Sequence, residues 1–168
     1  MIRMIAACDR NRIMGKGGTL PWNIEEDWKY FLKTTAGGAL VMGRKCYEDF
    51  TEYAKDRKVV VLSRQSGRTF EHAMSAANLE EGINRASKLA TDVWICGGVS
   101  IYEEAMSWAQ ELYLTEIDGE FSGDVYFPEW RPYFPQLLEQ REVCAEPYLL
   151  TFSKLGKSPD WKRQIPKA

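Results

Sequence analysis

The sequence predicts an α/β fold: one domain with a mixed, mainly parallel central β-sheet, flanking helices and an antiparallel C-terminal edge. Three observations carry this reading. Short β-rich runs alternate with helical patterns along most of the chain. One run, KVVVLS at 58–63, is apolar almost without a break, as in a strand covered on both faces. The last β-rich runs, REVCAE and YLLTFSKL, follow one another with no helix between them, which suits an antiparallel pair.

The elements follow in order. MIRMIAA (1–7) is a strand. EEDWKYFLKTT (25–35) is a helix, with Asn23 as N-cap and Glu26 at the capping-box position. Ile24, Trp28, Phe31 and Leu32 give that helix an apolar stripe, and Asp27 falls inside it. A carboxylate on a buried face is costly unless something pairs with it. ALVMG (39–43) is a strand, and RKCYEDF begins a short helix. After KVVVLS comes the amphipathic helix LEEGINRASKLA (79–90). DVWIC (92–96) is a strand, followed by Gly97-Gly98 and the helix VSIYEEAMSWA. ELYLTEID (111–118) alternates and reads as a strand. The tail GKSPDWKRQIPKA (156–168) is polar and is expected to lie loosely on the surface.

With 168 residues the chain suits a single domain, 1–168, with a substantial core. Hydrophobic residues make up 45% and charged residues 27%, which argues against disorder. The net charge of −2 and scattered basic residues leave no nucleic-acid footprint. Cys8, Cys46, Cys96 and Cys144 lie far apart, without a C-x-x-C pair. The only histidine is His72, read as a surface residue, so no metal site is expected. The N-terminal apolar run is too short for a signal peptide, and no stretch is long enough for a membrane span. A reducing cytoplasm is the expectation, although spacing alone leaves disulfides open.

Three strands end in residues suited to phosphate. One runs into Gly43-Arg44-Lys45, one into Ser63-Arg64, and one into Gly97-Gly98. In an open parallel sheet, ligands sit at the carboxyl ends of the strands. Glycines admit the ligand closely, helix N-termini attract anions, and arginine grips phosphate in a fork. Each motif alone also reads as a plain turn; their joint placement points to a nucleotide site. The G-x-G-x-x-G and G-x-x-x-x-G-K-[ST] motifs are absent, so the design is another one. The long glycine-containing loop between Cys8 and Trp22 reads either as a mobile lid or as an ordinary surface loop.

The segments MIAACDRNRIMG, LPWNIEEDWKYF, VMGRKCYE, VVVLSR, ICGGVSIYEEA, LYLTEID and GDVYFPEW resemble, in order and spacing, the bacterial dihydrofolate reductase family. The resemblance spans roughly residues 1 to 128 and continues more weakly to about 155. It implies a monomer that binds NADPH and 7,8-dihydrofolate in one cleft, transfers hydride to C6 and protonates N5. Asp27 would bond the pterin N3 and 2-amino group, supported by Thr115. Trp22 would hold an ordered water near the pterin carbonyl. Ile5, Ala6, Trp28, Phe31, Phe50 and Cys96 would line the substrate, and Arg57 would clamp the α-carboxylate of its tail.

For the cofactor, the resemblance implies Ala7 and Met14 at the carboxamide, with Gly43, Lys45, Cys46 and Leu62 along the cleft. Arg44, Ser63 and Arg64 would hold the 2′-phosphate. Gly97, Gly98, Val99, Ser100 and Ile101 would approach the pyrophosphate, with the Gly97-Gly98 bond cis, and Tyr102 would sit by the nicotinamide. Gly15 to Leu20 would form the lid. The sequence departs from the family pattern at Glu52 and Ala54, where a proline-containing segment is common. It departs also at Trp28, where a smaller apolar residue or Phe is usual, at Cys46 in place of threonine, and at Cys96 in place of a branched aliphatic. Two other readings stay open: a reductase of this fold acting on another heterocycle, as in riboflavin biosynthesis, and a pteridine- or nucleotide-binding module without catalysis.

Overall fold

The computed structural model describes residues 1–161. The elements are β1 (Ile2–Asp9), β2 (Ile13–Gly15), α1 (Glu25–Thr34), β3 (Ala39–Gly43), α2 (Arg44–Glu48), α3 (Thr51–Ala54), β4 (Lys58–Leu62) and β5 (Met74–Ala76). They continue with α4 (Leu79–Leu89), β6 (Val93–Ile95), α5 (Val99–Ala105), β7 (Glu111–Ile117), β8 (Val125–Tyr126), β9 (Gln136–Ala145) and β10 (Tyr148–Gly156). One eight-stranded sheet has the order β5-β4-β3-β6-β1-β7-β10-β9, and β2 pairs with β8 apart from it. From β5 to β7 all pairings are parallel, while β10 runs antiparallel to both β7 and β9. The predicted α/β architecture and its antiparallel edge are therefore present.

Alternation along the strands divides the core. Met4, Val41, Val60, Ile95, Leu112 and Leu114 face α4 and α5. Ile5, Leu40, Met42, Val59, Val61 and Trp94 face the other way, where Trp28, Phe31 and Leu32 of α1 cover them. Helix α1 has no fully buried residue. Its apolar stripe packs on the sheet along one margin only.

Three expectations change. Helix α1 starts at Glu25 with Ile24 as N-cap, and no side chain caps it. Ile24 is buried beside Trp22, Ile117 and Phe152, and this anchorage sets the helix start. Asn23 stays exposed one position too early to cap; Glu25, Glu26 and Asp27 complement the first turn instead. Helix α5 ends at Ala105, because the chain must turn to bring Gln110 N onto Ile2 O beside β1. The start of the tail is not loose. Lys157 is 8% exposed, donates to Met106 O, and lies over the rings of Tyr133, Phe134 and Trp161. The rest of the predicted tail, 162–168, lies outside the described residues. Elements β2, α3, β5 and β8 are too short to show a period in sequence.

The sheet opens where the site sits. β1 pairs with β6 only from Ile2 to Met4, then follows β7 alone from Ile5 to Asp9. β6 lies between β3 and β1, so the chain direction of strand order reverses there. This is the crevice in which open α/β sheets bind ligands.

Candidate active site

Asp27 stands at the floor of this crevice, where the first turn of α1 meets β7. The residue keeps some exposed atoms, but its carboxyl end is enclosed. Burial pushes its pKa up to about 6, and the Thr115 hydroxyl and Trp22 indole N–H pull it part of the way back. No cation pairs with it among the described residues. Trp22 Nε1 is itself buried with no hydrogen-bond partner of full geometry. An under-satisfied buried donor beside a buried acid that no cation neutralises is the signature of a site built for something else to complete. Thr115 is 1% exposed and faces Ala7 across the β1–β7 register.

The wall rising from Asp27 is aromatic. Trp28 stacks on Phe31 at 5.3 Å, and both meet Phe50 edge-on at 6.2 and 6.0 Å. Tyr53 closes the set, 5.1 Å from Trp28 and 5.6 Å from Phe50. The sequence reading missed Tyr53. Its neighbour Ala54 is fully buried in the same cluster, and the Tyr53 ring packs against the wall there. At the far end Arg57 donates to Leu32 O and Thr35 Oγ1 and has no carboxylate partner among the described residues. A half-buried guanidinium held by neutral acceptors keeps its charge for an anion.

Across the crevice the three strand ends converge. Gly43 N donates to Gly97 O at 2.8 Å, and Cys96 N to Val41 O at 2.9 Å. β3 and β4 run in register through Gly43 and Leu62, so Arg44 and Ser63 leave the sheet side by side. Arg44 is paired with Glu48 at 2.5 Å, Ser63 Oγ accepts from Gln65 N, and Arg64 and Lys45 are exposed. The Gly97-Gly98 peptide is cis. A Cβ on Gly97 would lie 3.0 Å from the Tyr102 ring, and Gly97 has φ 107°. A Cβ on Gly43 would lie 3.1 Å from Ile101 Cδ1, whereas nothing lies within 4 Å of one on Gly98. The backbone is thus closely packed beneath and open above. Tyr102 donates to Ile5 O at 2.7 Å, filling the gap where β1 leaves β6. The four cysteines are free thiols; burial raises Cys46 to about 11 and pushes Cys96 higher still, so neither is a ready thiolate.

The loop after Asp9 is ordered. Lys16 and Thr19 exchange backbone hydrogen bonds around Gly17 and Gly18, whose φ values are 59° and 88°. That is a two-residue hairpin of the primed type, which glycine favours. Asp124 N donates to Gly15 O at 3.0 Å, and Gly17 N to Asp124 Oδ1 at 3.3 Å. Leu20 follows the hairpin, 50% exposed; Met14 and Gly15 lie inward of it. Two open surface depressions lie elsewhere. One of about 410 Å³ runs along α4, where Arg85 is already paired with Glu81. The other, of about 660 Å³, lies outside the hairpin against Phe121 to Asp124. Among the described residues no cluster could hold a metal ion, and no helix is long and apolar enough to cross a membrane.

The family model for dihydrofolate reductase matches residues 1–156. A dihydrofolate reductase of Neisseria meningitidis is 38% identical over 128 residues, covering 76% of this chain and 78% of its own. One from Staphylococcus haemolyticus is 33% identical over 127 residues, covering 76% of each. The solved dihydrofolate reductase of Enterococcus faecalis, complexed with NADP(H) and RAB-propyl, superposes with a TM-score of 0.85 at 26% identity. It covers 94% of this chain and 96% of its own.

Proposed function

The chain belongs to the dihydrofolate reductase family, and from that premise we propose that it reduces 7,8-dihydrofolate to 5,6,7,8-tetrahydrofolate with NADPH. The observation that carries the substrate is the pairing of Asp27 with Arg57 at opposite ends of one aromatic wall. A carboxylate at the floor suits a flat heterocycle that presents donors. A free guanidinium at the mouth suits a ligand ending in a carboxylate.

The residues on the other side fit a dinucleotide. Gly98, above a buried Gly97, leaves backbone open to close approach, and Arg44, Ser63 and Arg64 gather where β3 and β4 end. Arg44 and Arg64 would take the 2′-phosphate with Ser63. Gly97 to Ile101 would take the pyrophosphate, and Ala7 and Met14 the carboxamide. Gly43, Lys45, Cys46, Leu62 and Tyr102 would line the remainder. When bound, NADPH supplies the hydride that is delivered to C6 of the pterin.

The chain does the rest. Asp27 bonds N3 and the 2-amino group, with Thr115 holding the carboxylate in place. Ile5, Ala6, Trp28, Phe31, Phe50 and Cys96 fix the ring plane, the orientation effect that makes a transfer of this kind fast. Protonation of N5 makes C6 electrophilic, and Asp27 biases that proton electrostatically rather than by contact. Water carries it, ordered by the Trp22 indole N–H, while the 15–20 hairpin and Leu20 control access.

The test is loss of NADPH absorbance with dihydrofolate, with and without a diaminopyrimidine antifolate. Turnover that the antifolate abolishes is expected. Binding of both ligands without turnover would establish a binding module, and turnover of another heterocycle alone would move the enzyme to a different pathway.

A further inference from the structure

Asp9 is a buried carboxylate outside the pocket, 2% exposed. Its Oδ1 accepts from Asn11 N and Ile13 N, and its Oδ2 from Phe121 N, all at 2.8 Å. No cation pairs with it among the described residues. These three donors come from places that matter. Asn11 and Ile13 are the root of the 15–20 hairpin. Phe121 begins the segment that reaches Asp124, which clamps Gly15 and Gly17. The Phe121 ring also packs on Trp22, with centroids 5.3 Å apart, and on Tyr148 behind it at 5.3 Å. One side chain therefore joins the hairpin root, its clamp and the wall behind Trp22.

We propose that Asp9 is a positioning residue for the reduction: through Phe121 it fixes the Trp22 indole against Asp27, and through Asn11 and Ile13 it sets the base of the hairpin. This rests on the reading of Asp27 and Trp22 given above. A carboxylate suits the task because its two oxygens are acceptors only and can serve three N–H donors at once. Asparagine at this position keeps one acceptor oxygen, which can still close the local turn onto Asn11 and Ile13. Its amide NH2 then faces the Phe121 N–H, donor against donor. Asp9→Asn thus releases the Phe121 tether and spares the hairpin root.

The groups around Asp27 are Trp22, Thr115 and the phenols of Tyr30 and Tyr102, and no cation or second carboxylate pairs with it among the described residues. Trp22 holds the Asp27 pKa down, so a displaced indole raises it. In pH–rate profiles normalised to antifolate-titrated sites, Asp9→Asn is expected to raise the apparent pKa by about half a unit. A roughly three- to tenfold fall in kcat/KM for dihydrofolate accompanies it. Phe121→Leu removes the ring and keeps the Asp9 hydrogen bonds. It is expected to shift the profile the same way, and the double variant to be no worse than the worse single one. It also keeps the proposal testable if Asp9→Asn folds poorly. A purely structural role lowers the melting temperature and the titrated fraction but leaves the per-site pKa and kcat/KM unchanged; that result in both variants overturns the proposal. Asp27→Asn is measured beside them. If Asp27→Asn is inactive while Asp9→Asn and Phe121→Leu match the parent, the proposal alone fails. If Asp27→Asn turns over normally, the reading of the site fails and the proposal with it.

Discussion

Arg57 grips the last turn of α1 through Leu32, whose carbonyl oxygen lies 2.7 Å from Nη2. The guanidinium is therefore aimed by the helix that lines the pocket, with Thr35 Oγ1 as a second stop at 3.1 Å.

The first prediction concerns this cation. Arg57→Ala should raise KM for dihydrofolate by roughly 10- to 100-fold, the loss of a charge-assisted fork, with KM for NADPH unchanged. It should also cost about 1 kcal/mol of stability in urea melts, because the Leu32 carbonyl loses its donor. Arg57→Lys should recover little of the KM, since an ammonium cannot make the fork. Equal effects on both KM values would remove Arg57 from the tail site.

Asp27 gives a prediction with a sign. Burial raises its folded-state pKa to about 6 from an ordinary value of 3.8. The folded protein then binds more protons than the unfolded one between those values, so stability falls as pH rises through that window. Asp27→Asn should match the parent below about pH 4 and exceed it by about 3 kcal/mol above pH 7. The same change should abolish most turnover at neutral pH while leaving NADPH binding intact. In the parent, the hydride step should level off below about pH 6 and fall above it. Denaturation melts and single-turnover rates across pH check both halves.

Arg44 supplies the cofactor test. It is paired with Glu48 on the exposed face of α2, a pair worth little in water. Arg44→Ala should raise KM for NADPH by about tenfold or more and leave KM for NADH nearly unchanged. Glu48→Gln should leave NADPH use equal to or better than the parent. Parallel changes with the two cofactors would dismiss the 2′-phosphate assignment.

Gly123 tests the hairpin clamp. A Cβ there would lie 2.5 Å from both Gly15 O and Ile13 Cγ2, and one of these contacts is backbone. Gly123→Ala should push β2 off β8, costing about 1–3 kcal/mol and weakening NADPH retention. Gly17 has φ 59° but open space around it. Asparagine, which tolerates that conformation, should melt within about 1 kcal/mol of the parent when placed there. A wild-type melting temperature for Gly123→Ala would contradict the clamp.

Much of this arrangement is legible in the amino-acid sequence. Strands of five residues or more show their period, and the apolar run at β4 declared burial on both faces. Asp27 was visible as a conflict between a helix pattern and a charge. Arg44, Ser63 and Gly97 were visible because each follows a strand. What the sequence hid depends on long-range partners. Asp9 and Phe121 are 112 positions apart; nothing local marks Asp9 as buried. Tyr53 lies on a four-residue helix, too short to show which side it turns inward. Asn23 reads as a cap, but the burial of Ile24 decided where the helix begins.

Helix α1 has no residue fully sheltered from solvent. Its inward stripe is finished only when a ligand fills the crevice, so occupancy becomes part of the protein's own cohesion. A ligand at 100 times its dissociation constant adds about 2.7 kcal/mol to the folded state. An antifolate at this cleft would then act twice, stopping the enzyme and sheltering it from proteolysis. Cells treated with such a drug should accumulate the very protein it disables.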